Sequence, residues 1–346
     1  MRIPLLLDRR SLLTFPITVW FLCALALGIS SGVAAQTATF DEGMALFNQH
    51  RWSEAASVFE KVEARQPGRT DALLYLGKSL INMNRFLEAD AALSKYVAAH
   101  ARSDDAISLL AFCRFREDKP RDSLRLFTRA AAIQTPEADD FKIVALDYAL
   151  LGDYRDAAKY LLIALQLQPR NIEARYHLGR IRFQQSRYDD AIAAFSEVLK
   201  EDPKNVKAEN NLGLCFEAKG EINQALLAYQ QAIKLDRGEN RPSAQPYLNL
   251  GRLLTQMGKP EQALPSLLKG EQINPQLPEI HYELAKAYVR LGKLHDSEAE
   301  LKTAIRLRPN YSAAHYELGM VYRQLGQDDL ASAELRKVGA QFWKSQ

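Results

Sequence analysis

Histidine and cysteine are the residue types best suited to metal binding, nucleophilic chemistry or covalent stapling, and the chain is sparing with both: six His and three Cys in 346 residues. His281 and His315 stand 34 residues apart, and Cys113 and Cys215 are separated by three times that interval. No Gly-rich phosphate loop, His-Glu-x-x-His or Gly-x-Ser-x-Gly occurs, so phosphoryl transfer, zinc-dependent hydrolysis and serine acyl transfer have no basis in the sequence. The formal net charge is only +3, which excludes a globally basic nucleic-acid binder. Neither enzymatic activity nor a cofactor is expected. Apolar residues make up 47% and charged residues 25%, ordinary globular proportions that allow a sizeable core.

The 34-residue interval is general. Pro67, Pro169, Pro203, Pro275 and Pro309 are spaced by 34 or its multiples with one small offset. The tiling that follows has nine units, 36–69, 70–103, 104–137, 138–171, 172–205, 206–239, 244–277, 278–311 and 312–345, with an insertion at 240–243. No stretch remains for another domain. Position 8 of every unit is Gly or Ala, position 20 is Ala or Ser, and position 24 is large and apolar, from Phe59 to Leu335. Small residues at two fixed points let helix axes approach, and the large one fills the space beside them, so each unit predicts a packed antiparallel helix pair.

Gly or Asn at position 15 (Asn84, Gly152, Gly220, Gly258, Gly292, Gly326) predicts the left-handed residue that stops helix A. Two residues on, Pro120 and Pro260 suit the first turn of helix B, where a missing N–H costs nothing. Pro265, inside the seventh helix B, predicts a local kink. In this frame His281 and His315 both occupy position 4 of neighbouring units, roughly 10 Å apart, and read as packing residues, since metal ligands must sit near 2 Å. Cys113 and Cys215, at position 10 three units apart, are too distant for a disulfide and predict free, mostly buried thiols.

The residues Leu212-Gly213, Phe216, Ala225, Tyr229 and Ala232, and again Leu318-Gly319, Tyr322, Ala331 and Leu335, resemble the tetratricopeptide repeat pattern throughout the tiled region. Departures gather in the third unit (Ala111, Arg114, Ser123) and in the sixth, where Arg237 replaces the expected proline. The resemblance implies an all-α, right-handed α-solenoid superhelix of about nine helix-turn-helix repeats, whose A helices line a concave groove through positions 2, 5, 6, 9, 12 and 13.

Along those rows the implied partner-contacting residues are Lys78, Phe115, Tyr176, Arg180, Phe183, Asn210, Asn211, Asn249, Arg252, Tyr282, Lys286, Arg290, Tyr316 and Arg323. The N-terminal rows are apolar and aromatic; the C-terminal rows set tyrosines beside cations, which suits a protein or extended peptide with acidic or carboxylate-bearing segments. Asn211 and Asn249 at position 6 suggest a short amide row that holds a peptide backbone. Acidic residues at position 2 (Asp71, Asp105, Asp139, Glu173, Glu279) are accounted for by the helix dipole.

Before the repeats, Arg9 and Arg10 precede an apolar stretch from Leu12 to about Ile29 that ends in Val33, Ala34 and Ala35. This is the pattern of an export signal over residues 1–35, cleaved before Gln36, with an uncleaved membrane anchor as the alternative. Cys23 follows bulky Trp20, Phe21 and Leu22, which argues against lipidation. The destination expected is the periplasm or outside, in a bacterial envelope. At the other end Leu335, Val338, Phe342 and Trp343 either stay exposed or extend the last helix B, and suggest self-association or partner docking through an uncapped solenoid end. The leading functional reading is a non-catalytic interaction scaffold of the envelope. The alternative is a structural component of a secretion, pilus or polysaccharide-export assembly that uses its convex face and ends.

Overall fold

The computed structural model describes residues 38–237 and 241–344, with side chains described up to Val338. The expected export signal at 1–35, Cys23, Asn240 and the side chains of Phe342 and Trp343 lie outside the described residues. Among those described, every regular element is an α-helix, and the chain divides into two compact units, Met1–Gln185 and Ser186–Gln346.

The first unit contains α1 (Phe40–Asn48), α2 (Trp52–Arg65), α3 (Asp71–Asn82), α4 (Phe86–Ala99), α5 (Asp104–Arg116), α6 (Pro120–Ala131), α7 (Ala138–Leu150), α8 (Tyr154–Leu167) and α9 (Ile172–Gln184). The second contains α10 (Tyr188–Glu201), α11 (Val206–Ala218), α12 (Ile222–Asp236), α13 (Ala244–Gln256), α14 (Pro260–Ile273), α15 (Pro278–Arg290), α16 (Leu294–Leu307), α17 (Ser312–Gln324) and α18 (Asp328–Lys344). Odd-numbered helices are the A helices and even-numbered ones the B helices.

The helix stops are local. A backbone φ of 58° to 80° occurs at His50, Asn84, Asp118, Gly152, Ser186, Gly220, Gly258, Gly292 and Gly326, position 15 every time. Glycine and asparagine there announce the stop. His50, Asp118 and Ser186 take the same left-handed conformation, which costs most non-glycine residues roughly 1–2 kcal/mol, and at the first two turns the packed pairs α1–α2 and α5–α6 hold it. Starts are local too. Asn171 and Asn205 accept hydrogen bonds from the N–H groups of Ala174 and Ala208, both at 2.9 Å, satisfying one of the orphan donors of α9 and of α11.

Within a pair, position 8 meets position 24. A Cβ placed on Gly77 would come within 2.6 Å of Leu93 Cγ, and one on Gly43 within 2.6 Å of Phe59 Cε1, so the missing side chain is what admits the large one. Phe59, Leu93, Leu161, Tyr229, Leu267 and Leu301 are fully buried in this role. Each B helix then packs on the following A helix, as α2 on α3 or α12 on α13, which joins successive pairs into continuous cores.

Where the pattern weakened, the helices adjust. In the third unit α6 stops early, at Ala131. In the sixth, α12 runs on to Asp236, whose buried carboxylate accepts from the Ser243 N–H at 2.8 Å and closes the inserted loop. α14 continues through Pro265 at the 14-residue length of α8 and α10. α18 extends to Lys344, so the last helix B is lengthened as one of the two alternatives for the C-terminus required. Cys113 and Cys215 are free and buried, and burial pushes both thiols up to about 12, leaving them inert. No helix among the described residues is long and apolar enough to cross a membrane.

Candidate functional site

Consecutive A helices touch one another, α1 with α3, α3 with α5 and α5 with α7 in the first unit, and α11 with α13 and α13 with α15 in the second. No comparable B-to-B contacts occur among the described residues. The A sides are therefore the closer-packed, inward-curving faces of each unit, and the nominated residues lie on those helices. The two faces differ in how much of their polar chemistry is already used.

On the first unit's A face, Lys78 is part-exposed and its Nζ lies 2.7 Å from Asp105 Oδ2, one repeat on, and 5.5 Å from the centre of the Tyr75 ring. Phe115 is only 3% exposed, so it belongs to the core and not to a ligand surface, contrary to the sequence expectation. In the second to fourth repeats position 12 is buried throughout, at Ile81, Phe115 and Ala149, whereas Phe183 at the same position of the fifth stays half-buried. Tyr176, Arg180 and Phe183 on α9 stay half-buried, with the Arg180 guanidinium 6.0 Å from the Tyr176 ring centre. Near the start, Phe47 packs edge-on against Trp52 at 5.0 Å and Tyr75 at 5.3 Å.

The second unit's A face carries a polar ladder. Arg252 makes a bidentate pair with Glu217, Nη1 to Oε1 at 2.6 Å and Nη2 to Oε2 at 2.8 Å, and the Tyr229 hydroxyl donates to the same carboxylate at 2.8 Å. Asn249 donates to Asn210 at 2.9 Å, and Gln245 donates to Asn249 at 3.3 Å. Asn210, Asn249 and Arg252 are all buried. These three were expected to meet a ligand; they meet each other's repeats instead, because an amide or guanidinium buried at a seam must be satisfied from within. Lys286 lies 3.0 Å from Glu283 on its own helix. Asn211 is half-buried and donates to the Lys207 carbonyl at 2.7 Å, while Asn249, its counterpart at position 6 of the next repeat, is buried.

What remains open is more distal. Tyr316 is half exposed, and Arg290 and Arg323 are exposed with no ion-pair partner among the described residues. Tyr282 is half-buried, its ring 5.2 Å from that of Tyr311 and from Lys286 Nζ. Burial, then the carboxylates of Glu317 and Glu283, push its phenol up to about 12, so it stays a hydrogen-bond donor at any physiological pH.

The acidic position 2 does more than complement helix dipoles. Asp105 receives Lys78, and Glu173 receives Lys142 at 2.7 Å, each from the preceding repeat; Lys142 also reaches Asp139 at 2.9 Å. Lys142 is buried and was not nominated, nor was Glu217. Opposite charges offset by about one period, 27, 31 and 35 residues apart in these three pairs, were the available signal. One carboxyl stands outside the ladder. Asp147, on α7, is fully buried without a well-formed hydrogen bond, and burial pushes it up to about 8, with the Ser123 hydroxyl opposing weakly.

Profiles described as Tetratricopeptide repeat or TPR repeat match residues 46–113, 145–243 in two overlapping segments, 251–292 and 282–343. No curated protein sequence matches the chain. Among solved structures, a tetratricopeptide repeat protein from Parabacteroides merdae is 17% identical, with 73% of this chain and 98% of that one covered at a TM-score of 0.60. The APC/C hetero-tetramer Cut9-Hcn1 is 16% identical at a TM-score of 0.59; 84% of this chain is covered, and it spans 57% of the other's length. At such identities the likeness is one of fold. With helix pairs, left-handed stops at position 15 and the small-against-large contact at positions 8 and 24 repeated through both units, the chain belongs to the tetratricopeptide repeat family, an all-α repeat solenoid that serves as a protein-interaction scaffold.

Proposed function

We propose that the second unit captures an extended, carboxylate-bearing segment of a partner protein on its A face, through Tyr282, Tyr316, Arg290 and Arg323. The observation that supports this is selective exposure. Arg252 and Lys286 on that face are neutralised internally by Glu217 and Glu283, whereas Arg290 and Arg323 are exposed with no ion-pair partner among the described residues. Guanidinium forks and phenol donors match a carboxylate's acceptors. The exposed leucines of the B helices, such as Leu87, Leu162 and Leu227, are spread over separate helices, which favours the A face over the convex side as the docking surface.

The export pattern at 1–35 supports a site of action outside the cytoplasm, in the envelope, and two buried thiols without a disulfide suit an oxidising compartment only because they are shielded. The test is capture of a partner from envelope extract by the purified chain, with Arg290→Glu and Arg323→Glu together. Capture should fall at least about tenfold, a loss of ~1.4 kcal/mol or more. Unchanged capture would remove the reading. Arg252→Glu is a poor probe, because reversing a buried, bidentate cation destabilises the fold by about 3–5 kcal/mol whatever the partner does.

A further inference from the structure

Three ligand-type side chains from three successive helices converge in the second unit: Glu271 on α14, His281 on α15 and Glu300 on α16. One ligand atom from each lies within 4.8 Å of the other two. His281 Nδ1 is 2.7 Å from Glu300 Oε2 and 3.9 Å from Glu271 Oε1. Its other nitrogen, Nε2, is 3.0 Å from the Pro275 carbonyl oxygen. A carbonyl only accepts, so Nε2 carries a hydrogen and Nδ1 is the atom presented to the two carboxylates. The ring is 3% exposed and held in that orientation, while the glutamates are part-exposed and leave the carboxylate side open to solvent.

Donating the distal N–H to a backbone carbonyl is the support that metal-bound histidines receive. Charge points the same way. Neither glutamate has a Lys or Arg partner among the described residues, so a proton on Nδ1 leaves one negative charge uncompensated. A divalent cation on a neutral imidazole balances both carboxylates. Zinc-type bonds near 2.0–2.2 Å set ligand atoms roughly 3.0–3.5 Å apart, within reach of small rotations of the two glutamates.

We propose that Glu271, His281 and Glu300 bind one divalent transition cation of the zinc type, clipping α14 to the α15–α16 pair. One nitrogen and two carboxylates favour such a cation over magnesium or calcium. The ninth pair supplies an internal comparison. There His315 makes the same clamp, Nδ1 to Glu334 at 2.6 Å and Nε2 to the Pro309 carbonyl at 2.9 Å. But Ile305 stands one period on from Glu271, and Glu334 is already paired with Lys337 at 2.7 Å. The clamp therefore does not need a third ligand, and only the eighth pair has one. The site is not the His281 and His315 couple weighed from the sequence.

The test uses the full chain, freed of metal by a chelator and titrated with Zn²⁺ by calorimetry and with Co²⁺ by visible absorption. One equivalent should bind at pH 7.5 and bind at least about tenfold more weakly at pH 6, because the Nδ1 proton must leave. Glu271→Gln keeps the His281 and Glu300 contact and should weaken Zn²⁺ at least about tenfold, whereas His315→Gln should leave it unchanged. The ¹⁵N resonance of His281 Nδ1 in the unaltered chain should shift on adding Zn²⁺, which removes any dependence on a variant's folding. Absence of a saturable equivalent, an unmoved resonance, or equal affinity in Glu271→Gln would each overturn the assignment and leave an ion-pair clamp.

Discussion

Asp147 shows what a single buried group does to the solenoid. Its carboxyl has no solvent and no well-formed donor, so the neutral acid is favoured and its folded-state pKa rises to about 8, against 3.8 unperturbed. A group whose folded pKa is raised binds its proton more tightly when folded. Its contribution to stability is complete below pH ~4 and is lost as pH climbs through 8. Asp147→Asn has the same shape and never ionises. It should be more stable than the parent by on the order of 5 kcal/mol above pH 8, with the two converging near pH 4. Urea unfolding followed by circular dichroism across that range checks it; parallel curves would refute the buried-acid account. The sequence placed Asp147 at position 10, where Cys113 and Cys215 also stand, and that shared position already implied burial. Its lack of a donor depended on what the neighbouring helices present, which no spacing reveals.

At the scale of the helix pair, the contact between positions 8 and 24 carries the geometry. Gly213 faces Tyr229, and an added Cβ would stand 2.5 Å from Tyr229 Cδ1. That ring cannot move aside, because it is fully buried and its hydroxyl is tied to Glu217, itself held by Arg252. Gly213→Ala should therefore cost roughly 1–3 kcal/mol and shift the thermal midpoint down, a cost of overpacking that outweighs alanine's better helix propensity. A midpoint equal to the parent's would mean that α11 and α12 can slide apart freely. These positions were legible because small-against-large pairing and left-handed stops are short-range demands, repeated nine times. His50, Asp118 and Ser186 were not legible as stops: their side chains favour a positive φ less strongly than glycine or asparagine does, and at His50 and Asp118 the packed pair holds it.

At the scale of the whole molecule, stability should be a sum over pairs and their seams, since each pair touches mainly its neighbours. Leu161→Ala empties a fully buried site on α8 and should cost about 2–5 kcal/mol locally. Hydrogen exchange should then speed up in α7 and α8 while the amides of α15 and α16 keep their protection; a uniform loss through both units would show instead a single cooperative block. The sequence by itself determined the family, the helix pairs and the inert thiols, because those follow from periodic packing of adjacent residues. Tertiary structure alone decided which polar residues are spent and which are free. Arg252, Asn249 and Asn210 occupy groove rows in sequence yet are consumed at seams, while Glu271, His281 and Glu300 share no sequence signature and converge only because three helices stack. Periodicity reports which face a residue lies on; whether its charge is already answered depends on the next repeat's side chains, which only the stacked coordinates bring together.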